Sequence, residues 1–370
     1  MVEKVAAGRP GAEANGGVES VERPRTRLLE VAERFWPWLF LLVLLFIFSV
    51  TGRGFFDPFN FQSIGANASI GLIMALGLTF VIIAGGIDLS VAYVMGLSSV
   101  VSAMVMTRLG QSMPLAVVVL AGLAGGLVAG LVSGLVNGTL VARFRVPPFI
   151  GTLGMYGVTR GAAFLLSGGQ PVSVQIPGLG QIGNGSLFYY HPRFGFTFLN
   201  QPPGLTGADL RQVQGILPHP ITLAIVLIFA CWWLLAKTRF GQHTYALGGN
   251  AEASLRAGIP VHRQTMLLYV LSATLAAIAG VLYTVRFTSG AASAGDPLLL
   301  DSIAAVVIGG VSLFGGAGTI LGTMIGTLII AVIQNGLVIL AINPFWQFIA
   351  VGTVIILAVL VDQAKAQVSR

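Results

Sequence analysis

Few side chains in this sequence could do chemistry within its long apolar runs, and two of them are acids. Asp88 follows two glycines in segment 84–90, which Ser90 closes, and Asp301 opens an apolar stretch. Two glycines followed by an acid and a hydroxyl predict a break between two helical pieces, with Asp88 or Ser90 capping the second piece. Each acid therefore has two interpretations, a helix cap or a group that lines a pathway.

The other polar side chains that stand out in these runs are neutral: Asn137, Thr152, Tyr156, Gln334 and Asn335. Amides and hydroxyls in an apolar medium must bond to neighbouring helices or face water. Each residue could thus join helices or line a polar pathway, and the sequence leaves both open. Neutral donors and acceptors suit a polyhydroxylated neutral solute better than an ion.

The composition identifies the medium around these residues. Of 370 residues, 55% are hydrophobic and 9% are charged, against roughly 25% charged in soluble globular domains. Ten helices of about 20 residues need about 200 apolar residues, which this chain has. The composition excludes a soluble enzyme, a disordered chain and a nucleic-acid-binding domain. It predicts an all-α, polytopic integral membrane protein of about ten helices (about eight to ten) in the lipid bilayer.

Apolar runs separated by glycine, proline and charge place the helices. The predicted spans are residues 35–50, 64–84, 89–107, 114–141, 149–166, 220–236, 265–285, 302–314, 319–341 and 345–361. They form one transmembrane domain, 35–361, between an N-terminal arm (1–34) and a polar tail (362–370). Two long polar segments, 167–217 and 237–264, interrupt the domain.

The basic residues predict the orientation of the chain. With the N-terminus inside and alternating spans, fourteen of the twenty Lys and Arg residues fall inside. The six that fall elsewhere are Arg53, Arg108, Arg160, Arg193, Arg211 and Arg286. Cytoplasmic loops are enriched in Lys and Arg. Both termini and segment 237–264 are therefore expected in the cytoplasm, and segment 167–217 outside.

Glycines recur every four residues on two predicted helices, which indicates tight helix packing. The first set contains Gly122, Gly126, Gly130 and Gly134, and the second contains Gly318, Gly322 and Gly326. A role in helix sliding during a transport cycle stays open. An Asn-Gly pair near the end of both helices, at Asn137 and Asn335, also hints at an internal pseudo-repeat.

Patterns typical of catalysis are absent from the sequence. The four histidines fall in loops or at span edges, and there is no metal-ligand cluster, nucleophile elbow or phosphate-binding loop. The spans also lack the buried ionisable residues of a proton relay. We therefore expect no catalytic residue, metal or cofactor in this chain. If it transports a solute uphill, a partner must supply the energy.

One inside segment predicts a short, well-delimited helix over residues 251–257. Asn250 is a good N-cap, Glu252 adds negative charge to the first turn, Arg256 follows four residues later, and Gly258 ends the helix. We expect it to lie parallel to the membrane between glycine-rich hinges. It could be a connector or a docking element for a soluble partner.

Three separated motifs together resemble the permease subunit of bacterial ATP-binding-cassette importers for monosaccharides, of the ribose/xylose/galactose group. The motifs are residues 85–91 (Gly-Gly-Ile-Asp-Leu-Ser-Val), 246–259 and 301–316. Two positions depart from the family pattern. Ala92 stands where the family usually has glycine, and Leu299 stands where an acid often appears.

The resemblance implies a multi-pass protein of the bacterial inner membrane with about ten helices and two permease subunits, expected as a homodimer. It also implies cytoplasmic ATPase subunits that bind ATP and Mg, and an extracytoplasmic sugar-binding protein. On this chain it places Asp88 and Ser90 near the pathway. The expected ATPase-coupling residues are Asn250, Ala251, Glu252, Ala253, Arg256 and Gly258. The alternatives are a self-contained channel or facilitator for small polar solutes, and a membrane scaffold without a pathway.

Overall fold

The computed structural model describes residues 24–202, 204, 206, 209–343 and 345–368, and these residues are mainly helical. The chain divides into two compact units, Met1–Trp36 and Pro37–Arg370. All candidate site residues lie in the second unit. Residues 1–23 of the predicted arm and residues 369–370 of the predicted tail lie outside the described part.

Ten of the thirteen described helices correspond to the ten predicted spans. The helices are α1 (Pro24–Thr51), α2 (Pro58–Ile83), α3 (Val91–Leu109), α4 (Leu115–Ala142), α5 (Pro148–Ser167), α6 (Leu179–Asn184), α7 (His219–Lys237), α8 (Arg239–Gly249), α9 (Ala251–Arg256), α10 (Val261–Phe287), α11 (Asp296–Ile308), α12 (Ile320–Ile339) and α13 (Phe345–Val368). Seven are long and apolar enough to cross a membrane, namely α2, α3, α4, α5, α7, α10 and α12. Shorter apolar helical stretches cover Trp36–Thr51 and Phe345–Leu357. The prediction of a polytopic helical membrane protein is confirmed.

The predicted bounds of the eighth span, 302–314, are wrong. The helix α11 begins at Asp296 and ends at Ile308. Pro297 in its first turn favours a helix start, and Gly310, with φ of 84°, ends it. The apolar run continues through the glycine-rich turn after the helix, so hydropathy alone shifted the span toward the C-terminus.

Segment 167–217 contains a small β-sheet that the all-α expectation did not include. Its strands are β2 (Ser186–His191), β3 (Gly195–Phe198) and β4 (Gln214–Pro218), in the antiparallel order β3-β2-β4. Phe188 pairs with Phe198 on one side and with Ile216 on the other. Two further short strands, β1 (Val172–Ser173) and β5 (Ser289–Gly290), pair with each other.

The helix α10 packs against α2, α3 and α4. Contacts near its start and near its end define the two ends of the bundle. Near its start, Gln264 on α10 donates a 2.9 Å hydrogen bond to the carbonyl oxygen of Phe240 on α8. Near its end, the carbonyl oxygen of Arg286 accepts a 2.7 Å bond from Asn184 on α6. We call the end of the bundle at Gln264 the α9 end. We call the end at Asn184, which adjoins segment 167–217, the sheet end.

The first glycine stripe faces α3 and α10. A Cβ on Gly122 would overlap Met106 on α3, and a Cβ on Gly126 would lie 3.2 Å from the Ser98 carbonyl oxygen. Gly134 approaches the backbone of α10, since its Cβ would lie 2.8 Å from Val270 Cα. Glycine therefore sets the spacing of α4 from its neighbours.

The second stripe contains two helical members. Gly322 and Gly326 on α12 face the backbone of α11, where a Cβ on either would overlap a carbonyl oxygen, of Gly309 or Ala305. Gly318 was predicted to share this stripe, but it precedes α12, whose N-cap is Thr319. Its φ is 148°, and a Cβ there would lie 2.8 Å from the Val311 side chain.

We expect Gly130→Ala to destabilise the bundle. Its Cβ would lie 2.5 Å from Ala277 Cβ and 2.8 Å from the Ala273 carbonyl oxygen, and overpacking of this kind costs about 1–3 kcal/mol. The thermal unfolding midpoint in detergent should fall. Gly352→Ala is the control, because nothing lies within 4 Å of that Cβ. Equal midpoints for the two variants would contradict close packing of α4 on α10.

Candidate functional site

The non-helical break between α2 and α3, residues 84–90, contains a buried carboxylate. One oxygen of Asp88 accepts hydrogen bonds from the amide and the hydroxyl of Ser90, at 3.0 and 2.6 Å. The other accepts a 2.8 Å bond from Ser272 on α10. Asn137 on α4 donates to the Ser90 hydroxyl at 2.8 Å. The carboxylate thus ties the start of α3 to α10 and, through Ser90, to α4.

The predicted pathway residues at this break join helices in the described conformation. Asp88, Ser90, Asn137 and Thr152 are all fully buried. The Thr152 hydroxyl on α5 lies 3.2 Å from the carbonyl oxygen of Ile87. A fourth helix, α5, therefore also contacts the break. Ser90 occupies the N-cap position of α3, but its side chain makes no capping bond. A pathway role for these residues stays a prediction.

Three backbone segments meet at the α9 end of the bundle. The amide of Gly316, in the turn after α11, donates a 2.8 Å bond to the carbonyl oxygen of Ile83, the last residue of α2. A Cβ on Gly248, near the end of α8, would overlap the same oxygen. A Cβ on Gly315 would lie 2.9 Å from the Gly248 carbonyl oxygen and 3.1 Å from Gly85 Cα. We call this contact the glycine junction.

The glycine junction brings together the three sequence motifs. Gly85 comes from the first motif, Gly248 from the second, and Gly315 and Gly316 from the third. The φ angles of Gly85, Gly315 and Gly316 are 80°, 87° and 76°, which glycine adopts without a steric penalty. The junction therefore needs glycine for backbone conformation as well as for close approach.

The helix α9 lies beside the junction and is largely exposed. Asn250 caps it by accepting a 2.9 Å bond from the Ala253 amide. Glu252 and Arg256 form a 2.6 Å ion pair, and their side chains are 75% and 78% exposed. Gly258 follows the helix with φ of 80°. The observed helix, Ala251–Arg256, lies within one residue of the predicted one.

The glycine-rich stretch before α9 is helical, where the sequence predicted a hinge. The helix α8 includes Gly248 and Gly249, and the chain turns only at Asn250, which is extended with φ of −162°. Gln264 on α10 donates 2.9 Å bonds to Phe240 and Thr244 and holds α8 against the bundle. Of the two predicted hinges, only Gly258 lies outside a helix, because Gly248 and Gly249 belong to α8.

A cavity of about 410 Å³ lies between α9 and the break. Its lining includes Gly85 and Gly86 from the break, Glu252 and Leu255 from α9, and Tyr269 from α10. Tyr269 is 2% exposed, and its buried hydroxyl makes no hydrogen bond within the described part of the chain. A displacement of α9 would therefore change the space directly beneath the break.

Tyr156 belongs to a different group, the polar-aromatic cluster of Tyr93, Tyr156, Arg160 and Asp296. The hydroxyls of Tyr156 and Tyr93 donate to the two carboxylate oxygens of Asp296, at 3.1 and 3.2 Å. The two rings meet edge to face, with centroids 4.6 Å apart. The Arg160 guanidinium lies 5.4 Å from the centre of the Tyr93 ring.

A non-helical segment brings Asp296 to this cluster. After β5 the chain runs along α3, with Gly290 against Ser99 and Gly295 against Ala92. The helix α11 therefore begins beside the first turn of α3. Discontinuous helices of this kind build the solute sites of many transporters.

Gln334 and Asn335 on α12 join helices at two other places. Gln334 donates a 2.8 Å bond to Asp301 on α11. Asn335 exchanges two bonds with Asn60 on α2, at 2.9 and 3.1 Å. The cap interpretation of Asp301 is wrong, because α11 begins five residues earlier, at Asp296. The seven predicted pathway residues thus fall into four separate groups.

Sequence reasoning missed Tyr93, Ser272 and Asp296. Ser272 and Tyr93 lie in apolar runs without any local signal that marks them as partners of an acid. Asp296 did carry a signal, because an acid followed by proline after a glycine is typical of a helix start. That signal would have placed the acid in the first turn of α11.

At the sheet end, segment 167–217 contains a hydrogen-bonded carboxylate, Asp209. The Thr206 hydroxyl and amide donate to it at 2.6 and 3.1 Å, and Arg193 lies 3.7 Å away. These hydrogen bonds, with the Arg193 charge, hold the pKa of Asp209 below its usual range. The stabilisation is present above the ordinary pKa of an aspartate and is lost as the pH falls through the lowered value.

Known transport permeases align with most of this chain. The chain is 37% identical to the ribose import permease protein RbsC of Bacillus subtilis, over 93% of this chain and 97% of the relative. It is 33% identical to the xylose transport system permease protein XylH of Escherichia coli, over 88% and 90%. It is 33% identical to the fructose import permease protein FrcC of Rhizobium meliloti, over 88% and 84%. No solved structure matches the chain.

A family model described as the permease component of the branched-chain amino acid transport system matches residues 60–360. This range contains the break, the glycine junction, α9 and the polar-aromatic cluster. The match covers most of the chain, and the relatives align along nearly their whole lengths. The chain therefore belongs to this family of transport-system permease components.

Proposed function

We propose that the chain is the membrane permease subunit of an ATP-driven importer that carries a monosaccharide across the bacterial inner membrane. The 37% identity to a ribose import permease along nearly the whole chain carries this proposal. Relatives named for xylose and fructose support the same solute class. The amides, hydroxyls and phenols of the bundle suit a neutral polyol.

The α9 end faces the cytoplasm, together with both termini, and the sheet end faces outward. The basic residues support this orientation, since fourteen of twenty fall on the α9 side of the predicted topology. ATPase subunits dock on α9 and bind the ATP and Mg that this chain does not bind. An extracytoplasmic sugar-binding protein delivers the solute to the sheet end.

A second copy of the chain packs against α5, and the pathway runs between the two copies. Nothing lies within 4 Å of a Cβ on Gly154, Gly157 or Gly161, so α5 presents an open face of small residues. Such faces let two membrane helices approach closely. Tyr156 and Arg160 lie on the same helix, so a dimer of this kind brings two polar-aromatic clusters toward one another.

The glycine junction transmits the movement of the ATPases. The helix α9 follows α8 directly, and α8 touches the end of α2 and the turn after α11 by backbone contact. Backbone contacts have no flexible side chain to absorb a displacement. Closure of the ATPases on ATP therefore moves the break and the turn together, which opens the pathway alternately to the two sides.

We expect Glu252→Arg combined with Gly258→Pro to abolish coupling. The first change breaks the ion pair with Arg256, and proline cannot adopt the φ of 80° at position 258. ATP-dependent sugar uptake by the reconstituted importer should fall about tenfold or more, as for loss of a central interface contact. Uptake of ribose, xylose and fructose is measured in proteoliposomes that contain the ATPase and the binding protein.

The matched control is Arg53→Glu combined with Gly54→Pro. It reverses a charge and strains a glycine with φ of 78°, but between α1 and α2, away from α9. We expect it to retain uptake. Normal ATP-dependent uptake by the α9 variant would overturn the coupling assignment, and uptake without any ATPase would favour a self-contained channel.

We expect Asp88→Ala to slow uptake without preventing assembly. It leaves the Ser90 amide and the hydroxyls of Ser90 and Ser272 without their acceptor, which costs about 1–3 kcal/mol for each buried group left unpaired. The unfolding midpoint should fall further than in Ser272→Ala, which removes one bond. Thr139→Ala is the control, because that hydroxyl bonds to Leu135 within its own helix. Unchanged uptake despite a lowered midpoint would assign Asp88 a purely structural role.

A further inference from the structure

We infer that the polar-aromatic cluster of Tyr93, Tyr156, Arg160 and Asp296 is the subsite of this chain that contacts the hydroxyl groups of a neutral polyhydroxylated solute during its passage. The inference rests on the proposed function and names the residues on which its solute class depends. The sequence prediction included Tyr156 among its seven pathway residues, but not Tyr93, Arg160 or Asp296.

The depth and the exposure of the cluster indicate that it faces a water-filled space. Tyr156 is the ninth of the twenty residues of α5, and Arg160 is the thirteenth. Arg160 and Asp296 are nevertheless exposed in the single chain. A carboxylate and a guanidinium near the middle of a membrane are costly in lipid, and they almost always face a protein interior or a water-filled cavity. The exposed side of the cluster therefore faces a pathway.

The other acids near the middle of the bundle are less exposed than Asp296, since Asp88 is buried and Asp301 is half-buried. Asp88 is fully buried, and three protein donors occupy its oxygens. Asp301 accepts a bond from Gln334 and lies in the contact between α11 and α12. Asp296 combines exposure with a position at which α3, α5 and α11 meet.

The chemistry of the cluster fits hydroxyl groups. An ionised carboxylate has about four lone-pair positions, and the two phenols of Tyr93 and Tyr156 use two of them. The remaining positions of Asp296 can accept hydrogen bonds from solute hydroxyls, and the half-buried phenol of Tyr156 can accept as well. Arg160 supplies donors, and the Tyr156 ring can meet the C–H groups of a sugar. Tyr93 is 1% exposed, so its part is to position Asp296 through its hydrogen bond.

The charges of the cluster disfavour an ion as the solute. One guanidinium lies over the Tyr93 ring and one carboxylate accepts the Tyr93 hydroxyl, so their charges offset each other locally. A site for an anion or a cation needs an excess of the opposite charge. A neutral solute that both donates and accepts hydrogen bonds satisfies both groups.

The test is uptake of ribose, xylose and fructose by the complete importer in proteoliposomes. We expect Asp296→Asn to lower uptake about tenfold, as for loss of a charged hydrogen-bond partner. Tyr156→Phe should lower it less, because one phenol remains on the carboxylate. ATP hydrolysis stimulated by the loaded binding protein should persist in both variants, since α9 and the glycine junction are intact.

Two controls separate solute contact from a structural effect. Tyr283→Phe removes a phenol from α10, where the ring contacts Phe287 away from the cluster, and should leave uptake unchanged. The ratio of ribose to 2-deoxyribose uptake should shift severalfold in Asp296→Asn, because a contact with hydroxyls discriminates between these sugars. A merely structural role would lower both uptakes equally.

A second measurement reports accessibility directly and does not need active protein. The described part of the chain has one cysteine, Cys231, which is buried. In a Cys231→Ala background, Arg160→Cys should react with a charged, water-soluble thiosulfonate. Val226→Cys, on the exposed apolar face of α7, should not react because it faces lipid.

The outcomes are distinguishable. Wild-type importer that takes up none of the three sugars would overturn the proposed function and this inference together. If the wild-type importer takes up sugar, and Asp296→Asn and Tyr156→Phe take it up with normal rates and selectivity, the subsite alone would be overturned. An unreactive cysteine at position 160 in folded protein would show that the cluster faces lipid or protein, and would also overturn it.

Discussion

Direct backbone contact at the glycine junction is the constraint on which the rest of this structure depends. Gly248 lies so close to the Ile83 carbonyl that no side chain fits between α8 and α2. The same carbonyl accepts the Gly316 amide. A joint made of backbone alone is stiff, because side-chain rotamers cannot take up a displacement. In the proposed mechanism, it therefore makes the exposed α9, the break and the turn after α11 move together.

The buried acid Asp88 and the exposed acid Asp296 have different surroundings in the bundle. Both oxygens of Asp88 accept hydrogen bonds, from Ser90 and Ser272. These bonds hold a non-helical segment between helices. Asp296 is held by two phenols but keeps an exposed side. In a medium without water, a polar group must be satisfied by protein or face a pathway. Asp88 is satisfied by protein, and Asp296 is the acid that we propose to face a pathway.

Local signals explain which parts of the candidate site were predictable. The cap, ion pair and stop of α9 are encoded within nine residues, so its bounds were predicted to within one residue. The partners of Asp88 come from α4 and α10, and no local pattern connects them. The bounds of α11 were wrong because hydropathy does not distinguish an apolar helix from an apolar turn, whereas Pro297 and Gly310 do.

The sequence by itself determined the medium, the ten long apolar helices and the family, because composition, apolar run length and short motifs are properties of the chain read in order. Only the tertiary structure decided which distant residues meet. It placed Gly85, Gly248 and Gly316 in one junction, and it turned the chain after β5 back along α3 to bring Asp296 to Tyr156. Such contacts depend on how helices pack, and packing is a property of surfaces that a linear pattern does not contain.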